Sequence, residues 1–224
     1  MFTWIAEIWK SNWKNKIMLI AGALILVGSI VGIIYGVVTH QGDEGLMKVN
    51  GKSLHWAKED LPLICSYDPA TVTEDHLALY NKAKSEFNTR TGITLLSHCM
   101  PWLIQNTMPT FIAGSLTLRV TTPDPAPAAA GTTTVDVQDP FKAHPGGVTL
   151  YRYEPASGLL KGAAVFVDPG APKDLLERIW LHEIGHSLGL EHDQLQDSIM
   201  YPAASGRPKS LSEKDVKLLQ ATYR

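Results

Sequence analysis

Residues 179–193 read I-W-L-H-E-I-G-H-S-L-G-L-E-H-D and restrict the chain more than any other stretch. His182 and His186 stand four apart, one helical turn from each other, so a helix lets both imidazoles face one metal ion. Glu183 lies beside them, placed to reach a water at that metal rather than the metal itself, as the general base of a hydrolase must. Gly189 stops the helix, because glycine enters the left-handed region at little cost, and the turn brings His192 back as a third ligand. Three histidines and one open position describe a catalytic zinc site; structural sites are closed by four protein ligands, usually rich in cysteine. Two histidines alone on a solvated helix would carry no such meaning.

Seven residues past Asp193 comes Met200, within Ser198-Ile199-Met200-Tyr201-Pro202. The extended H-E-x-x-H-x-x-G-x-x-H followed by this methionine resembles the metzincin metallopeptidases, and S-I-M-Y-P resembles the Met-turn of the matrixin branch. The resemblance implies an α+β catalytic domain with a twisted five-stranded mixed sheet, mostly parallel with one antiparallel edge strand, and three helices. It implies a zinc-dependent endopeptidase acting on protein or peptide substrates. One zinc ion would be held by His182, His186 and His192, lowering the pKa of its water towards about 7, while Glu183 takes that water's proton and passes it to the departing amine. Met200 would floor the metal without binding it. Val148 to Tyr153 would be the edge strand, its backbone at Thr149 and Leu150 holding an extended peptide by strand addition. Pro202, Ala203 and Ala204 would wall the pocket past the cleaved bond.

The pattern also departs from the family. Aligning Pro140-Phe141 and Pro145-Gly146-Gly147 with the matrixin loop puts Val135, Tyr151 and Phe166 where histidines would hold a second, structural zinc, so one zinc is expected; His144 is the only imidazole nearby, and calcium is left open. Asp193 after the third ligand is more usual in the adamalysin branch. Pro202 takes the place at which astacins and serralysins carry a tyrosine ligand, so Tyr201 is not expected on the metal. Lys214 replaces an acidic residue common in the final matrixin helix.

Ile17 to Val38 is 22 residues without a charge, enough helix to cross a bilayer, and no A-x-A-like cleavage site follows it. Lys10, Lys14 and Lys16 precede this run, whereas Asp43 and Glu44 follow it, so the N-terminus is expected in the cytoplasm and the rest outside, in the periplasm or extracellular space. Trp4, Trp9 and Trp13 suit the headgroup region. The expected organisation is a cytoplasmic segment 1–16, a membrane helix 17–38, a linker 39–53 and a catalytic domain 54–224. No cysteine precedes Cys65, so latency through a propeptide cysteine is not encoded in this sequence.

Within the domain, Leu61–Tyr67 reads as a first strand, Thr73–Thr91 as a helix with apolar Leu77, Tyr80, Ala83 and Phe87, and Gly92 as its cap. Ile93–Leu96, Ser115–Thr121, Val148–Tyr153 and Gly162–Asp168 follow as strands, with a Pro/Ala-rich loop at 123–131. Asp174–Leu190 is the metal-bearing helix, and Ser212–Tyr223 the last, packing Val216, Leu219 and Tyr223 behind the site. Cys65 and Cys99, the only cysteines, can form one bridge in an oxidising compartment or stay as buried thiols. Parallel strands joined by a helix tend to be neighbours, which puts the two near the same end of adjacent strands and favours the bridge.

A formal net charge of −2, with no basic stripe among aromatics, excludes nucleic acid as a natural partner. Two other functions fit the same residues: a membrane-anchored binding or assembly protein with a retired metzincin shell, and a hydrolase of peptidoglycan peptides. Glu183, the residue a retired enzyme could most cheaply lose, speaks for the peptidase. Oligomeric state leaves no trace in the sequence.

Overall fold

The computed structural model describes residues 45–103, 108–121, 146–202 and 210–224. It begins with a two-residue hairpin, β1 (Lys48–Val49) against β2 (Lys52–Ser53), turned by Asn50 and Gly51 at positive φ. Next come β3 (Leu63–Tyr67), α1 (Glu74–Thr91), β4 (Leu96–Pro101), β5 (Ser115–Arg119), β6 (Gly147–Tyr153), β7 (Leu160–Val167), α2 (Leu176–Ser187) and α3 (Glu213–Tyr223).

β3 to β7 form one sheet in the order β4-β3-β5-β7-β6. The first four of these are joined in parallel and β6 runs antiparallel to β7 at one end. This is the five-stranded mixed sheet with an antiparallel border strand expected from the resemblance, and the described residues contain three α-helices.

The period of two in the strands divides the apolar side chains between two faces. Leu116, Leu118, Ala163, Val165, Val167 and Tyr151 join a large core with Tyr80 and Phe87 of α1, Trp180 and Ile184 of α2, and Val216 and Leu219 of α3. Val148, Leu150, Ala164 and Phe166 make a second, smaller cluster with Phe111 on the opposite face. Tyr151 and Phe166 therefore lie on opposite sides of the sheet. The two positions set beside the family's structural-zinc histidines do not converge here; Val135 and His144 lie outside the described residues.

Helix ends follow local chemistry. Thr73 accepts from the His76 amide, His76 Nδ1 accepts from the Thr73 amide, and Gly92 closes α1 at φ 66°. Asn88 Oδ1 then accepts from the amides of both Leu95 and Leu96. That capping occupies the residues read from sequence as the second strand, so β4 begins at Leu96 and runs on through Ser97 and His98 to Pro101. Polar residues are tolerated there because β4 is the other border of the sheet.

Cys65 and Cys99 are register partners across β3 and β4 and form a disulfide. The folded unit starts earlier than Leu54. Leu46 is buried and bridges to Leu190, and the Met47 amide donates to the Gly189 carbonyl at 2.9 Å, so the second half of the expected linker belongs to the domain. The expected membrane helix 17–38 lies outside the described residues; among the described residues no helix is long and apolar enough to cross a membrane.

Candidate metal centre

α2 places His182 and His186 one turn apart, and Leu188 and Gly189 then turn the chain. Gly189 adopts φ 92°, and a side chain there would run into the Leu54 carbonyl, so both conformation and space demand glycine. Beyond it His192 returns to the other two. Its Nε2 lies 3.3 Å from His182 Nε2 and 3.2 Å from His186 Nε2.

The tautomers follow from the outer contacts. His182 Nδ1 faces the Ile199 carbonyl and His186 Nδ1 the Leu190 carbonyl, each at 2.8 Å. A carbonyl only accepts, so each Nδ1 carries the proton and each Nε2 presents a lone pair inward. A metal ion set between the three rings could take these inward lone pairs as ligands. For zinc–nitrogen bonds of about 2.0–2.1 Å, the edge of a tetrahedron is roughly 3.3–3.4 Å, close to the two separations observed. The donor set thus fits a zinc ion, and among the described residues this trio is the one cluster able to hold a metal.

The end of α2 is held from distant parts of the chain. A helix leaves its last carbonyls without partners. Here Trp56 Nε1 donates to the Ser187 carbonyl at 2.8 Å, Tyr223 Oη to Leu188 at 2.7 Å, the Met47 amide to Gly189 and His186 Nδ1 to Leu190. The Glu191 amide also donates to the Gly45 carbonyl at 2.7 Å. Met47 and Trp56 escape a reading centred on the motif. The available signal was Trp56 itself, since a buried indole needs an acceptor.

Met200 is buried beneath the helix. A Cβ on Gly185 would come within 2.5 Å of its Sδ, so the glycine between the two histidines makes room for it. The Asp193 amide donates to the Met200 carbonyl, and Ser198 Oγ accepts from the Met200 amide while donating to Asp215 in the first turn of α3. Asp193 also pairs with Lys214 at 2.8 Å.

Glu183 is 5% exposed and points at the edge strand. Thr149 Oγ1 lies 2.8 Å from Oε2, and burial pushes the carboxyl up to about 8, with the Thr149 hydrogen bond opposing the shift. Thr149 and Leu150, whose backbone is expected to hold a substrate, send their side chains to opposite faces: Thr149 to Glu183 and Leu150 into the smaller cluster. Pro202 is exposed, one residue past Tyr201, whose carbonyl accepts from Arg178 Nη2 at 2.7 Å; Ala203 lies outside the described residues.

Residues 97–224 match the model of the Matrixin family, more than half of the chain. A 50-residue stretch is 46% identical to Metalloendoproteinase 5-MMP of Arabidopsis thaliana, covering 21% of this chain and 14% of that protein. A stretch of 88 residues is 36% identical to Matrilysin of Felis catus, covering 35% and 33% respectively. The chain thus spans no more than a third of these relatives. Among solved structures, High choriolytic enzyme 1, a hatching enzyme zinc-protease of Oryzias latipes, is similar at 12% identity and a TM-score of 0.40, over 80% of this chain and 98% of that one. Motif spacing, sheet order and the match of the C-terminal half agree, and the chain belongs to the matrixin family.

Proposed function

We propose that this protein is a zinc-dependent endopeptidase, tethered to a membrane by residues 17–38. The observation that carries the activity is the convergence of three Nε2 atoms beside a buried carboxyl on the same helix. His182, His186 and His192 hold the ion. When bound, zinc supplies Lewis acidity towards a peptide carbonyl and makes water acidic enough to ionise near neutral pH. Glu183 would take a proton from the attacking water and return it to the amine as the peptide bond breaks. Its raised pKa suits a group that must both take and give a proton near neutrality. Met200 forms an apolar floor that keeps the histidines from shifting downward.

β6 is the terminal strand of the described sheet and begins beside Glu183, which supports it as the border on which an extended peptide is laid. Pro202 would bound the pocket beyond the cleaved bond. The tether rests on the 22 uncharged residues of the N-terminal run, with lysines before them and acids after, which orient the domain outward.

The test uses the full chain on casein and on quenched peptides. Cleavage that stops with a chelator, returns with zinc and falls by about 10²–10⁴-fold in Glu183→Gln with zinc still bound supports the assignment. Stoichiometric zinc without cleavage of any peptide would instead leave a binding protein built on the same shell. Sedimentation with membranes after carbonate washing tests the tether.

A further inference from the structure

Two residues at the start of β6 bracket the Glu183 carboxylate. Thr149 Oγ1 reaches Oε2 at 2.8 Å and the Glu183 main-chain carbonyl at 3.0 Å, both within the buried interior. Gly147 lies against the other side. A Cβ at that position would stand 2.7 Å from Glu183 Cγ and 2.9 Å from Oε1. A glutamate has three rotatable bonds, and one buried without contacts would sample several rotamers. Here the hydroxyl fixes one oxygen and the bare glycine backbone defines where the other can lie.

The direction of the hydrogen bond matters. Carbonyl and carboxylate oxygens only accept when the acid is ionised, so the Thr149 hydroxyl is the donor. A threonine with its donor spent on Oε2 leaves Oε1 as the oxygen that takes a proton. With a proton on Oε1, Oε2 is still a carbonyl oxygen and keeps accepting, and the main-chain carbonyl of Glu183 is a second acceptor within reach of the same hydroxyl.

We propose that Thr149 is a positioning residue for Glu183, its side-chain hydroxyl selecting the rotamer and the proton-accepting oxygen of the base. The inference rests on the assignment of Glu183 as base and adds to it a role for a side chain on the substrate-binding strand. It makes that strand bifunctional: its backbone meets the peptide on the open border, while the bare backbone of Gly147 and the side chain of Thr149 shape the base. Catalytic groups must be held within about 0.5 Å of the productive geometry by neighbours whose own rotamers are locked, and a β-branched residue in a buried strand is such a neighbour.

The experiment uses the full chain in three forms. Thr149→Val keeps the shape and removes the donor; Thr149→Ser keeps the donor. Thr149→Val should lower kcat about 10- to 100-fold, the usual range for partners behind a reacting group. KM should stay within about twofold and zinc affinity, measured by competition with a chromophoric chelator, should not change, because neither peptide nor metal contacts are lost. Thr149→Ser should recover most of kcat. A second readout needs no turnover: in metal-free protein Thr149→Val should lower Tm by about 3 °C or more in the Glu183 background and by clearly less in Glu183→Ala, where the main-chain carbonyl of residue 183 is the one acceptor of the pair that is left. Wild-type kcat in Thr149→Val, equal losses in Val and Ser, or equal Tm losses in both backgrounds would each overturn the proposal. Should the wild-type chain cleave nothing, the peptidase assignment fails, and the Tm comparison still decides whether the hydroxyl holds Glu183.

Discussion

Asp193 and Lys214, two residues at which this chain parts from the matrixin pattern, are ion-paired to each other at 2.8 Å. Each looks like an isolated departure in the sequence. In the structure they tie the residue after the third ligand to the first turn of α3. Ser198 and Asp215 make a second tie one residue further along that helix. The loop carrying His192 and Met200 is therefore held to α3 at two points.

Removing this pair should loosen His192. Asp193→Asn and Lys214→Met should each weaken zinc binding. A double-mutant cycle on stability should give a coupling of about 1 kcal/mol or less, because Lys214 is 39% exposed and solvent screens the pair. Burial tends to raise the Asp193 carboxyl, but the Lys214 hydrogen bond, the Leu195 amide, the Lys214 charge and the Gln194 amide together hold it below its ordinary value of 3.8. A depressed acid stabilises the fold above its unfolded pKa and loses that contribution as pH falls through the folded one. Denaturant melts of wild type and Lys214→Met should converge as the solution is acidified below that value.

Glu183 has the opposite sign. Its carboxyl titrates at about 8 in the fold against 4.5 ordinarily, so the folded state binds a proton across that window. In metal-free protein its contribution is fully present below pH 4.5 and is lost as pH rises through about 8. Glu183→Gln should flatten this slope while, with zinc bound, lowering kcat by about 10²–10⁴-fold. Urea melts across pH 5–8 in the presence of a chelator check the first part.

A fragment beginning at Leu54 should be poorer than one beginning at Gly45. It lacks the Leu46–Leu190 bridge and the Met47 donor to Gly189, two supports of the turn before His192. Leaving that carbonyl without its donor and exposing the apolar side chain of Leu46 should together cost about 2 kcal/mol or more. Zinc affinity and Tm of the two fragments, measured side by side, test it.

The Cys65–Cys99 disulfide closes a loop with a sequence separation of 34 residues. Chain entropy puts its worth at about 3–4 kcal/mol. Cys65→Ala/Cys99→Ala should lose that stability yet keep the zinc site, which draws on α2 rather than on β3 or β4.

What could be read from the sequence was local. His182, Glu183, His186, Gly189 and His192 declare themselves because a helix of fixed pitch and a glycine turn leave few arrangements for them. The order of strands and helices was legible for the same reason. The partners of the helix end were not, since Trp56 meets Ser187 across 131 residues and Tyr223 meets Leu188 across 35. Nothing short-range announces such contacts. Strand parity was also out of reach of the sequence: sliding β6 by one residue reverses which side chains share a face, and it is the sheet that puts Tyr151 and Phe166 on opposite sides. The same parity turns Thr149 towards Glu183.

The most direct measurement is X-ray absorption at the zinc edge on the metal-replete chain, with metal content by mass spectrometry. One zinc per chain is expected, its shell fitted by three imidazole nitrogens at about 2.0–2.1 Å and one oxygen, and the metal should be lost in His192→Ala. Sulfur in the shell, a fourth protein ligand, or substoichiometric zinc in the wild-type chain would contradict the account.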